Sequence, residues 1–168
     1  MTVESQDRQA AQGEVEAREG VKNAVTGLLW AIDHREWDKV QSFLADVVRT
    51  DYTSLFGGSY QTQKGVDVMA GWRAFLPGFD STQHLTGPIL TDVQSGTAMA
   101  RCAVTAVHRI GEAFWTVGGH YRMTLARANG GWVIAGITLE NVYVQGDRTL
   151  PDEARRRVAA PKKRETRR

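Results

Sequence analysis

Cysteine is almost missing from this chain: Cys102 stands alone among 168 residues. No internal disulfide can form, and thiolates cannot build a zinc site. That scarcity fits a reducing cytoplasm. Prolines number four, too few for an extended or low-complexity architecture. No apolar run approaches the roughly 18 residues that span a bilayer. The first twenty residues are rich in Gln, Glu and Ala and lack the apolar segment of a secretory leader. A phosphate loop is missing too, since Phe56-Gly57-Gly58 has no lysine or helix start where one is required. His34 beside Asp33 and Asp38 reads as a solvated turn rather than a metal site. The expectation is a cytoplasmic protein with no metal, no cofactor and no membrane contact.

Charge of either sign is also modest overall, but it is unevenly placed. Residues 151–168 carry eight Arg or Lys against three acids, a net of +5. The whole chain is +2, so residues 1–150 hold −3. The basic tail has no interleaved aromatics to stack on bases. It reads as a solvated end, and no nucleic-acid partner is expected. The length suits one domain with one core. The expected division is a flexible N-terminus over 1–16, a folded domain over 17–147 and a basic tail over 148–168.

Apolar residues then set the elements. Val21, Val25, Leu28, Leu29 and Ile32 recur at spacings of three and four, which predicts a helix from about Glu16 to His34. A second helix is expected over Trp37 to Ala45 and a third over Gly65 to Phe75, stopping before Pro77-Gly78. Val47 to Tyr52 alternates as a strand. Four further alternating runs follow, at about 82–93, 97–109, 113–127 and 131–145. Gln94-Ser95-Gly96, the segment 109–112 and Asn129-Gly130-Gly131 break them as hairpin turns. Helices first and an antiparallel meander after is an α+β order.

Alternation also assigns faces. Ala98, Ala100, Cys102, Val104, Ala106 and His108 share one face, and Arg101 and Arg109 lie on the other. Small residues beside a histidine leave room for a pocket. Trp115, Val117, Tyr121, Met123 and Leu125 share a face that excludes His120. Asp33 sits near the end of the first helix, where the helix dipole disfavours an acid. Apolar neighbours there would raise its carboxyl pKa by desolvation. A residue that breaks two local rules invites a functional reading.

The segments Ala31-Ile32-Asp33-His34-Arg35-Glu36-Trp37-Asp38-Lys39-Val40, Arg49-Thr50-Asp51-Tyr52 and Thr82-Gln83-His84, with Gly131-Trp132-Val133-Ile134-Ala135-Gly136, resemble the SnoaL-like, nuclear transport factor 2-like superfamily. Within it the chain is most similar to the scytalone dehydratase-like branch. The resemblance spans roughly residues 20–147. It implies a cone-shaped, barrel-like α+β fold, with three N-terminal helices packed on a strongly curved, mixed, mostly antiparallel sheet. It also implies a deep pocket in which Asp33 pairs with His84, His108 is the second histidine and Tyr52 faces a substrate carbonyl. The branch has a tyrosine where this chain has Ile32. Its Ser and Asn fall nearest Gly119 and Tyr121.

The expected catalytic residues are therefore Asp33, His84, Tyr52 and His108. Trp30, Met69, Trp72 and Tyr121 are expected to line the pocket. The expected activity is that of a cofactor-independent acid–base lyase. It would dehydrate a small cyclic or polyketide-type hydroxy-carbonyl compound in natural-product biosynthesis. A cyclase or isomerase, or a non-catalytic ligand-binding module, is the alternative. Epoxide opening is disfavoured because the arginines of 97–109 face away. Cover for the convex sheet face implies a homodimer or homotrimer.

Overall fold

A computed structural model describes residues 3–128 and 130–160. Thirteen elements follow in order: α1 (Val3–Asp33), α2 (Trp37–Ser42), β1 (Leu44–Asp51), α3 (Thr53–Phe56), β2 (Gln61–Lys64), α4 (Gly65–Arg73), a 3-10 turn (Leu76–Gly78), β3 (Ser81–Thr86), β4 (Leu90–Gln94), β5 (Thr97–Ile110), β6 (Ala113–Ala128), β7 (Gly131–Gly146) and α5 (Leu150–Ala159). The strands form one mixed, strongly curved sheet in the order β2-β1-β7-β6-β5-β3, with β4 also on β5. Only β1 against β7 is parallel. The α+β cone expected from the sequence is the architecture observed. No helix among the described residues is long and apolar enough to cross a membrane.

α1 lies across the concave face. Its stripe Val21, Val25, Leu28, Leu29 and Ile32 is buried there, with Ala17, Ala24 and Ala31. The helix begins well before the expected Glu16. Residues 4–16 are exposed yet helical, because Ala, Gln, Glu and Arg all have high helix propensity. Side-chain pairs one turn apart add to it, such as Gln12–Glu16 at 2.8 Å and Glu14–Arg18 at 2.6 Å. Residues 3–16 of the expected N-terminal segment are thus a helical extension of α1, and residues 1–2 lie outside the described residues.

The helix closes in a Schellman turn. The Glu36 N–H reaches the Ala31 carbonyl at 2.9 Å, and the Arg35 N–H reaches that of Ile32 at 3.1 Å. Arg35 occupies the left-handed region at φ 58°. That position usually belongs to glycine, and an L side chain there costs roughly 1–2 kcal/mol. The Arg35 guanidinium also donates to the Phe79 carbonyl.

Three further expectations are corrected. The run 82–93 is two strands, because Gly87-Pro88 interrupts it and a proline has no N–H for the ladder. The polar strand β2, unexpected from pattern, pairs with β1 from Lys64 opposite Val47 to Gln61 opposite Thr50. The expected solvated tail contains α5, with Leu150, Pro151 and Ala154 buried; residues 161–168 of that tail lie outside the described residues.

The long strands carry the expected inward rows. Ala98, Ala100, Cys102, Val104, Ala106 and His108 are buried on β5, as are Trp115, Val117, Tyr121, Met123 and Leu125 on β6. β7 departs from strict alternation. Thr124 faces Gly136 and Leu125 faces Ile134, so Ala135 is an extra residue. This bulge flips the side-chain parity. Trp132 and Ile134 point inward before it, and Ile137 and Leu139 after it.

Candidate functional site

The open end of the cone holds a cavity of about 270 Å³. Its walls are mostly apolar: Leu28, Leu29 and Ile32 from α1, Val104 and Ala106 from β5, and Ile137 and Leu139 from β7. The polar groups are few. Tyr52, Trp72, His84, His108, Tyr121 and Arg155 reach it.

Asp33 ends α1 directly behind His84. Its Oδ1 accepts the His84 Nδ1–H at 2.7 Å, and its Oδ2 accepts the His84 main-chain N–H at 2.7 Å. The Thr82 hydroxyl donates to Oδ1 at 3.2 Å. The side chains of His84 and Asp33 are only 9% and 12% exposed. Burial alone would raise the Asp33 carboxyl, as the sequence led us to expect. The His84 ring bond and charge, the His84 N–H and the Thr82 hydroxyl together outweigh burial and hold it below its ordinary value. That expectation is therefore reversed: Asp33 is an ionised anchor. In the neutral form of His84 this bond places the ring proton on Nδ1 and the lone pair on Nε2.

Strand register explains why His84 meets the cavity. Thr82 sits opposite His108 and His84 opposite Ala106. Cross-strand partners share a face, so His84 joins the small row of β5. The two imidazoles lie 6.1 Å apart, edge to face. His108 is boxed by Phe79 at 4.8 Å and Trp115 at 4.7 Å between ring centroids. Its Nδ1–H donates to the Trp115 carbonyl at 3.2 Å. Burial and the neighbouring His84 push its pKa down to about 4, against the pull of the Trp115 carbonyl and Asp33. At neutral pH His108 is uncharged and its Nε2 can only accept.

Tyr52 follows β1 as the first residue before α3. Burial raises its pKa, only partly opposed by the Trp72 side chain. Tyr121 on β6 is raised by burial, with Tyr52, Cys102 and Asp33 adding to it. Both phenols therefore keep their protons and can donate to a substrate oxygen. Trp72 lines the cavity beside them.

Two expected pocket residues do not reach the cavity. Trp30 is 61% exposed and stacks on His34 at 4.1 Å. One residue is about 100° of helix rotation, so Trp30 turns away from the face of Leu28, Leu29 and Ile32. Met69 is half-buried against the core, while Gly71, Trp72 and Phe75 take the cavity side. Sequence reasoning missed Phe56, Phe75, Trp115 and Arg155. Arg155 had a readable signal. Thr149-Leu150-Pro151-Asp152-Glu153 is a helix start, with proline early and acids in the first turn. Trp115 had one as well, sharing its strand face with Tyr121, and so had Phe75, on the same side of the third expected helix as Trp72; Phe56 had none.

Asp33 and His84 meet at the site with the His108 ring 6.1 Å from that of His84, and no group of three or more His, Cys, Asp or Glu that could hold a metal occurs among the described residues. Arg101 is exposed, and Arg109 donates to the Gly111 carbonyl at 2.8 Å. Neither lines the cavity.

The sequence pattern of the SnoaL-like domain family matches residues 13–138. No functionally curated protein matches the chain in sequence. Among solved structures, Kfla4162 from Kribbella flavida superposes with a TM-score of 0.76 at 22% identity, over 84% of this chain and 99% of that one. A candidate scytalone dehydratase from Novosphingobium aromaticivorans gives 0.68 at 17% identity, over 82% and 92%. The hexachlorocyclohexane dehydrochlorinase LinA-type3 from Novosphingobium barchaimii gives 0.64 at 13% identity, over 80% and 92%. Identities this low speak for the fold alone.

Proposed function

The chain belongs to the SnoaL-like domain family, and on that premise we propose that its pocket is the active site of a cofactor-independent lyase. The reaction is β-elimination of water from a small cyclic or polyketide-type hydroxy-carbonyl compound. The observation that carries this reading is the double grip of Asp33 on His84, at the wall of an apolar cavity.

The steps follow from the protons. His84 Nε2 takes the proton α to the carbonyl. The electron pair of that C–H bond becomes the Cα=Cβ bond, and the C–O bond to the β-hydroxyl breaks. Tyr52 and Tyr121, both protonated, donate to the carbonyl oxygen as negative charge builds there. Asp33 stabilises the imidazolium that forms. His108 accepts a hydrogen bond from the β-hydroxyl and orients it, but in its neutral form it has no proton to give. The leaving oxygen therefore takes its proton back from His84 Nε2, and water departs. One base serving both bonds implies elimination from a single face.

His84→Ala and Asp33→Asn are each expected to lower kcat/KM on cyclic β-hydroxy ketones by about 100-fold or more, the usual scale for general acid–base catalysis. Product analysis should show the enone. Near wild-type rates in both variants would overturn the reading. Rearranged or ring-closed products in place of the enone would favour an isomerase or cyclase using the same residues.

A further inference from the structure

The C-terminal helix α5 brings Arg155 to the cavity, and among the described residues Arg155 is the only Lys or Arg that lines it. We infer that Arg155 is a specificity residue, and that the substrate carries a carboxylate at the end that sits beneath α5. This rests on the reading of the cavity as a substrate site and deepens it.

The surroundings of the guanidinium support the assignment. It lies 4.6 Å from the Phe75 ring centroid and 5.9 Å from that of Phe56. Both rings line the cavity. The aromatic faces cover part of the cation without pairing it, and the side chain, 50% exposed, keeps its remaining donors free for an anion at the cavity. One N–H of Arg155 reaches Asp152 at 3.3 Å, an exposed pair one turn apart. Such pairs contribute little, and an arginine fork has five donors. A carboxylate can therefore take two of them side by side. The other charged group at the site, Asp33, lies behind His84 with both oxygens occupied and is not among the lining residues.

α5 is held firmly enough for such a role. Asp80 Oδ1 accepts Arg157 at 2.7 Å, and Asp80 Oδ2 accepts the Gly111 N–H at 2.7 Å. The helix is thus tied to the β3 and β5 side of the cone. Ala154, next to Arg155, is fully buried.

The test is a matched pair of probes, 2-naphthoate and 2-naphthamide, titrated calorimetrically into the full-length protein. The wild type should bind the carboxylate at least about fivefold more tightly than the amide. Arg155→Gln should lose that preference with little change for the amide, and Arg155→Lys should keep part of it. Equal affinities in the wild type, no binding of either probe, or a preference that survives Arg155→Gln would each overturn the assignment. Assaying the wild type for elimination alongside the titration separates the two readings. An Arg155-dependent preference in a wild type that converts no β-hydroxy ketone would sink the lyase and leave the carboxylate site standing.

Discussion

An aspartate in the last turn of a helix faces the negative end of the helix dipole, at a cost of roughly 0.3–1 kcal/mol. Burial adds to that cost. Asp33 tolerates both because its two oxygens accept three hydrogen bonds from Thr82 and His84. The residue was conspicuous in the sequence for the rules it breaks, and the family resemblance supplied His84 as its partner; the bonds from the Thr82 hydroxyl and the His84 main-chain N–H became visible only with the structure. His108 gives a prediction at this same scale. Its pKa falls from 6.5 to about 4 on folding, with burial as the main cause. The unfolded chain therefore binds a proton below about pH 6.5 that the folded chain refuses until about pH 4. This contribution is whole above pH 6.5 and is lost as pH falls between those values, by on the order of 3 kcal/mol. Chemical denaturation at pH 4.5 and pH 7.5 should show that the wild type loses stability on acidification and that His108→Gln loses markedly less. Equal pH slopes in the two proteins would refute it.

At the scale of elements, α5 is held by a close approach. A Cβ on Gly78 would lie 2.0 Å from the Ala154 carbonyl oxygen, against backbone that cannot swing aside. Gly78→Ala is expected to destabilise the protein by roughly 1–3 kcal/mol through overpacking. The same change should push α5 outward, so amide exchange over 150–159 should quicken, as should loss of the carboxylate preference assigned to Arg155. Unchanged protection over 150–159 would show that the turn yields instead. Period-two alternation made β5 and β6 legible face by face, because each buries one side along its length. It could not find β2, whose four residues Gln61–Lys64 are polar and exposed, since pairing with β1 rather than burial defines that strand. It could not find the β7 bulge either, because Ala135 differs from its neighbours in pairing and not in hydropathy.

At the scale of the molecule, the family resemblance supplied the curvature of the sheet, which no local pattern states. The cone closes through contacts distant in sequence, such as β1 beside β7 in parallel, Asp51 opposite Thr138. α1 shows how unevenly stability is spread across it. From Ala17 onward the helix carries buried residues, while every residue from 4 to 16 is exposed and Val15 is 56% exposed. The early turns rest on helix propensity and surface pairs, each worth a few tenths of a kcal/mol. Deleting residues 2–12 should therefore shift the thermal midpoint by no more than about 2 °C and leave probe binding unchanged. Deleting residues 2–22 should act very differently. It removes Ala17 and Val21 from the core and the Arg18 contact to the Thr91 carbonyl at 3.3 Å, and losing Val21 alone is worth about 1.5–3 kcal/mol of burial. A drop in midpoint of several degrees is expected for the longer deletion, read by the same melt. If the shorter deletion were equally damaging, the first turns would have to pack on something other than this domain's own core.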